Sequence, residues 1–267
     1  MKTTIAKLSH ALVMTCLFLV AIPFASRSQW KLAWSDEFNT SGLPDSSKWG
    51  YDIGGNGWGN NELQYYTKAR KENARVENGM LIVEAHREPF EGKEYTSARL
   101  VTRDIATWSS GKIEVNAKLP SGLGTWPAIW MLANTKPFNW PDDGEIDIME
   151  HVGYDQGVVH ASVHTKKYNH IIGTQKTNKV SVPDCSTTFH RYQLEWNNDS
   201  IRIGIDDNYY YSFKNEKTGY DVWPFANKCY LLLNLAVGGN WGGQKGVATD
   251  IWPRRMEVDY VRVYQKK

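Results

Sequence analysis

This 267-residue chain is poor in cysteine, carries almost no excess of either charge, and shows hardly any helical periodicity. Cysteine occurs three times, at Cys16, Cys185 and Cys229. The first lies in an apolar run near the start. The spacing of the other two leaves open whether they pair. No Ser/His/Asp or Cys/His arrangement stands out, so a hydroxyl or thiol nucleophile has no candidate. Proline-, serine- or threonine-rich linkers are missing, as are internal repeats, which argues against an appended binding module.

Beyond residue 28 nothing is apolar enough to span a membrane. The first 28 residues read as a secretory leader, a basic start at Lys2 and Lys7, an apolar run over 11–24, then small Ala25, Ser26 and Ser28. Cleavage before Gln29 and export are expected. Acylation of Cys16 is a weaker alternative, because the apolar stretch before it is very short. Residues 29–267 then form a single domain, expected to be monomeric, with 28 basic residues against 29 acidic ones. Such neutrality argues against nucleic acid or an anionic membrane as partner.

What the chain does have is aromatic area. All twelve tryptophans fall after residue 28. A large core accounts for many of them. Sugar clefts use others, because the C–H face of a pyranose packs on an indole. Short alternating segments recur at 81–85, 112–118, 129–132, 157–164, 192–196, 201–205, 230–236 and 256–264. Turn residues such as Asn78-Gly79 and Asp206-Asp207-Asn208 separate them. This pattern predicts an all-β, antiparallel β-sandwich, a jelly roll.

One strand-like segment carries three acids, Glu145-Ile-Asp147-Ile-Met149-Glu150. Alternation puts Glu145 and Asp147 on one face and sends Ile146 and Ile148 inward. A regular strand would turn Glu150 inward too, at high cost. A β-bulge at Met149 returns it to the face of its partners. Glu145 and Glu150 then sit roughly 13 Å apart at Cα, and leaning side chains could approach the about 5–5.5 Å of a retaining glycosidase. A solvated polar strand face is the plainer alternative. Parity also sets Trp126, Ala128 and Trp130 on one face, and His160, Ser162 and His164 opposite Val159, Ala161 and Val163. If Ile129, Ile146 and Val163 fill the core, then indoles, imidazoles and carboxylates share an outer surface.

With those residues in view, the chain resembles family 16 glycoside hydrolases, nearest their laminarinase branch of endo-β-1,3-glucanases. The match runs through Trp34-Ser-Asp-Glu37-Phe, Asn60-Asn61-Glu62-Leu-Gln-Tyr-Tyr66-Thr, Trp126-Pro-Ala-Ile-Trp130, Trp140-Pro-Asp-Asp-Gly-Glu145, Phe189-His-Arg-Tyr-Gln-Leu-Glu-Trp196, Asn234-Leu-Ala-Val-Gly-Gly-Asn-Trp241 and Met256-Glu-Val-Asp259. It covers nearly all of residues 29–267. His151 departs from the pattern, where an aromatic such as Tyr is common.

The resemblance implies a concanavalin A-like sandwich with a concave cleft for β-glucan. Glu145 is the implied nucleophile, Glu150 the acid/base and Asp147 their assistant. Trp126 and Trp130 are implied sugar platforms, and Asn61 and Arg99 hydroxyl ligands. Trp140 and Trp241 are placed at the rim, and His164 near the leaving group. No catalytic cofactor is implied. A structural Ca²⁺ would use Glu37, the Gly79 carbonyl and Asp259.

Two other patterns carry little. His160-Ala-Ser-Val-His164 has a zinc-like spacing without the helix or its glutamate. Gly54-Gly-Asn-Gly-Trp58-Gly59 lacks the Lys-Ser/Thr of a phosphate loop and reads as a loop near the cleft. The rival readings are a mixed-linkage β-1,3-1,4-glucanase, whose specificity loops would be 135–141 and 168–179, and a non-catalytic β-glucan-binding protein.

Overall fold

The computed structural model describes residues 29–266, so the leader and Cys16 lie outside the described residues. The first half of the chain forms β1 (Trp30–Asp36), β2 (Gly50–Asp52), β3 (Gln64–Tyr66), β4 (Ala74–Glu77), β5 (Met80–Phe90), β6 (Lys93–Ser97), β7 (Arg99–Val101), β8 (Gly111–Lys118) and β9 (Thr125–Ala133). The second half adds β10 (Glu145–His151), β11 (Val158–His164), β12 (Lys176–Ser181), β13 (His190–Trp196), β14 (Ser200–Ile205), β15 (Asn208–Lys214) and β16 (Cys229–Val237). A single helical turn, α1 (Gly239–Gly242), and the long β17 (Arg254–Lys266) complete it. The alternating segments read from sequence fall on β5, β8, β9, β11, β13, β14, β16 and β17. Among the described residues no helix is long and apolar enough to cross a membrane.

The strands form two sheets. One runs β15-β14-β13-β8-β17-β5-β6-β3, with β1 on β17 and β4 on β5. The other runs β12-β11-β10-β9-β16-β7-β2. Neighbours in sequence are often not neighbours in space, as where β17, last in the chain, lies between β8 and β5. That interleaving makes one jelly-roll sandwich.

Inner faces of both sheets share a core. Ile129, Ile146 and Val163 are at most 1 % exposed, and Ile113, Val115, Leu194, Val261 and Val263 meet them fully buried. Each such side chain contributes about 1.5–3 kcal/mol of burial free energy. The parity argument therefore holds, and the opposite face of the seven-stranded sheet carries the polar side chains. Cys185 and Cys229 are both buried and unbridged. Cys229 opens β16, where its thiol faces the Asn227 carbonyl at 3.5 Å.

Candidate active site

The outer face of β10 is set by a fault in its pairing. Asp147 lies opposite Ser162 of β11, and Glu150 opposite His160, so Ile148 and Met149 together face Ala161 alone. The same irregularity appears against β9, where Asp147 pairs with Trp130 and Met149 with Ile129. Both bulge residues point inward and are fully buried. Glu150 is thereby returned to the side of Glu145 and Asp147, as the spacing predicts.

Burial, ahead of every other cause, pushes Glu145, Asp147 and Glu150 each up to about 8. The Asp147 charge adds to the rise at both glutamates. His164 opposes it, with Nε2 at 3.2 Å from Asp147 Oδ2 and 3.7 Å from Glu145 Oε1. Like charges packed this closely do not all form together, so the acids titrate as a unit. The imidazole lies within 4 Å of both Glu145 and Asp147, where a protonated ring favours a negative charge on that pair.

Two indoles finish the arrangement. Trp140 Nε1 donates to Glu145 Oε2 at 3.0 Å, and Trp126 Nε1 donates to Glu150 Oε1 at 3.1 Å. Two half-buried carboxylates thus have one ring N–H apiece. One of the two can be ionised beside an imidazole while the other keeps a proton. That is the requirement of acid-assisted displacement at an acetal carbon.

The family model of Glycosyl hydrolases family 16 matches residues 61–262. The chain belongs to glycosyl hydrolases family 16. A beta-glucanase of Rhodothermus marinus is 57 % identical over 244 residues, covering 88 % of this chain and 85 % of that protein. The X-ray structure of the laminarinase from Rhodothermus marinus superposes with a TM-score of 0.88 at 55 % identity, covering 90 % of this chain and 98 % of that one. A non-specific endo-β-1,3(4)-glucanase of the family, SCLam, gives 0.86 at 50 % identity, covering 90 % and 92 %. This chain is accordingly a glycoside hydrolase.

In this family 16 hydrolase the other expected site residues divide into three groups. Trp241, on α1, meets Trp126 edge to face at 5.5 Å and His160 at 5.0 Å, while Asn61 Nδ2 bonds Asn240 Oδ1 beside it at 2.8 Å. These line the Glu150 end. At the Glu145 end, Trp140 lies 6.0 Å from His164 between ring centroids. Between them Trp130 donates to Asn234 Oδ1 at 2.7 Å.

Arg99 differs from the expectation. It is 8 % exposed, sandwiched between Trp58 at 4.8 Å and Trp130 at 4.6 Å, with Nε 3.1 Å from Asp52 Oδ2. Strand register sets it on the face of the acids, opposite Asn234, which lies opposite Ala128 and so beside Glu150, a place consistent with strong cation–π stacking in a desolvated setting.

His151 is harmless to the acids. It points into the core with 0 % exposure, accepts the Gly157 N–H at 3.2 Å, and is pushed down to about 4 by burial. The His160/His164 pair does not converge on a metal, since one packs on Trp241 and the other on Asp147. Among the described residues Glu145, Asp147 and His164 are the one set offering three metal-binding atoms within 4.8 Å of each other. An ion there would cover Glu145 itself.

The calcium set is a poor fit. Both Glu37 oxygens are taken by Arg262, at 2.9 and 2.8 Å, and Asp259 Oδ2 accepts from Asn116 at 2.9 Å. A guanidinium gripping the carboxylate from two sides leaves no oxygen pair open to a dication.

Sequence reasoning missed Trp58 and His170. His170 sits 5.0 Å from Trp140 and 5.2 Å from His164 between ring centroids. Trp58 lies in the glycine-rich loop with a left-handed backbone (φ 51°), and no periodicity marks it. The description of that loop as close to the cleft was the available pointer.

Proposed function

We propose that this family 16 hydrolase cuts internal β-1,3-glucosidic bonds of laminarin-type glucans with retention of configuration. The observation that supports this best is the bulge-assembled group Glu145, Asp147 and Glu150 with an indole N–H on each glutamate. A relative at 57 % identity named a beta-glucanase supports a β-glucan substrate, and one at 55 % named a laminarinase supports laminarin in particular.

In the first step a Glu145 oxygen attacks the anomeric carbon. The glycosidic C–O bond breaks, and the Glu150 proton passes to the departing oxygen. Glu150, now ionised, removes a proton from water, whose oxygen displaces Glu145 from the same carbon. Two inversions leave the configuration unchanged. Asp147 holds Glu145 through a shared hydrogen bond, and His164 balances the charge left on the pair. Trp126 and Trp130 supply stacking area for glucosyl units, and Trp140 and Trp241 bound the cleft at either end. The leader-like first 28 residues support export.

A second reading, hydrolysis of mixed β-1,3-1,4-glucan, is favoured by the 50 % identity to a non-specific endo-β-1,3(4)-glucanase. Product profiles on laminarin, lichenan, barley glucan and curdlan separate the two. The role of Glu145 is tested by Glu145→Gln. Release of reducing sugar should fall to background while laminarin binding persists. Undiminished hydrolysis by that variant would remove Glu145 as nucleophile, and binding without hydrolysis by the parent protein would favour a non-catalytic recognition protein.

A further inference from the structure

Within the floor of the cleft, on the face that carries the acids, a line of buried polar side chains runs from Trp130 to Glu62. Trp130 Nε1 donates to Asn234 Oδ1 at 2.7 Å, and Asn234 Nδ2 donates to the Tyr66 hydroxyl at 3.1 Å. That hydroxyl in turn donates to Glu62 Oε2 at 3.2 Å. Asn234, Tyr66 and Glu62 are 6 %, 0 % and 7 % exposed, so solvent does not substitute for any link. Gln64 steadies the far end. Its Nε2 reaches the same Glu62 oxygen at 2.6 Å, while its Oε1 takes the Val237 N–H at 2.8 Å.

The two ends dictate every direction in between. An indole N–H only donates, so Asn234 must turn its carbonyl oxygen to Trp130 and its amide nitrogen to Tyr66. Tyr66 then accepts from Asn234 and has one proton to give. Glu62 Oε2, at 3.2 Å, accepts it. Reversing one link would set donor against donor at the next. One face of the ring is covered too, by the Arg99 guanidinium stacked between Trp58 and Trp130. The terminal torsion of an indole is otherwise broad. A ring held at one angle before ligand arrives loses less freedom on binding.

We infer that Glu62 is a positioning residue for glucan binding, which through Tyr66 and Asn234 fixes the ring of Trp130 at the angle on which a glucosyl unit stacks. This rests on the reading of Trp130 as a sugar platform. Glu62 itself makes no contact with that ring in the chain of bonds; its influence passes through two intermediates.

Two substitutions cut the chain at different points. Tyr66→Phe removes one oxygen, and Glu62→Met removes the terminal acceptor at similar volume. Glu62→Gln keeps a carbonyl oxygen in that place and serves as the conservative control. Affinity for laminarihexaose is measured by calorimetry in the Glu145→Gln background, where nothing is hydrolysed. The Trp130 indole ¹H–¹⁵N cross-peak is followed in the ligand-free protein and identified by its loss in Trp130→Phe.

Tyr66→Phe and Glu62→Met should each weaken binding about tenfold, or about 1.4 kcal/mol. Because they sever one chain, the double variant should bind no worse than either. Both should move the Trp130 cross-peak, and Glu62→Gln should bind within about twofold of the parent, as its acceptor is retained. An unmoved cross-peak in Tyr66→Phe and Glu62→Met overturns the inference. So do losses that multiply to about 100-fold in the double variant, because independent sites add in free energy. A cross-peak that moves in a protein whose Glu145→Gln parent binds no laminarihexaose upholds the orienting chain and defeats the glucan reading instead.

Discussion

Trp126 Nε1 lies 3.1 Å from Glu150 Oε1, so an expected sugar platform is also the hydrogen-bond donor to the proposed acid. The bond favours the ionised carboxylate and lowers the proton affinity of Glu150 against the upward push of burial. Trp140 does the same for Glu145. Removing either donor raises its partner, but the two changes act on different limbs of the rate profile. Glu145 must be ionised, and so Trp140→Phe should move the acidic limb of kcat/KM to higher pH. Glu150 must be protonated, and Trp126→Phe should move the alkaline limb to higher pH. Profiles of kcat/KM on a soluble laminarin oligosaccharide check both. If the two variants shift the same limb, the acid and nucleophile assignments are wrong.

The same burial has a cost in stability. Asp147 is pushed from an ordinary carboxylate value up to about 8 in the folded protein. Between the unfolded value, about 3.9, and the folded one, the native state holds the extra proton. Stability contributed by that proton is present below the lower value and is lost as pH rises through the window. Asp147→Asn removes the titration. Its melting temperature should exceed the parent's at pH 7.5, by about 2–4 °C for each kcal/mol recovered, and the difference should vanish near pH 4. Equal differences at both pH values would show that the effect is packing and not ionisation.

Thiol chemistry should be silent in the native fold. Cys185 and Cys229 are buried and unbridged, and burial pushes Cys229 up to about 12. Protein lacking residues 1–28 should melt at the same temperature with and without reductant. It should also release no chromophore from Ellman's reagent until denatured, when two thiols react. Immediate reaction of both thiols in native protein would contradict their burial.

How far the sequence discloses this site depends on whether a feature is local. Alternation and one misplaced glutamate are enough to locate the bulge, because a face assignment needs only counting along β10. They also place Trp126, Trp130, His160 and His164 on the face of the acids. Counting does not tell which edge of an indole meets which carboxylate. That was decided by loops that bring Trp140 and α1 over the sheet. His170 and Trp58 were invisible for the same reason, both lying in irregular segments with no period to read. Arg99 was expected to reach sugar hydroxyls, but the approach of Trp58 from a distant loop closes over it. Glu37 was expected to face a cation. Pairing of β1 with β17 sets Ser35 opposite Arg262 and brings the guanidinium there instead.

The bulge yields a test by parity alone. Deleting Met149 restores a regular strand in which the three acids stand at every second position, so all three keep the outer face. Deleting Ile148 and Met149 together leaves the last glutamate an odd number of residues from Asp147, which turns it into the core beside Ile129 and Val163. The single deletion removes a wholly buried side chain and should destabilise by about 2–5 kcal/mol. It should nevertheless retain glucanase activity, reduced about tenfold to 100-fold, since a misplacement of about 1 Å in a catalytic group costs about 100-fold. The double deletion should have no activity at any pH at which it remains folded. Reducing-sugar release, measured alongside circular dichroism on both variants, distinguishes these outcomes. An active double deletion would show that face parity is not what brings Glu150 to its partners, and a folded single deletion without activity would show that sharing the outer face does not suffice.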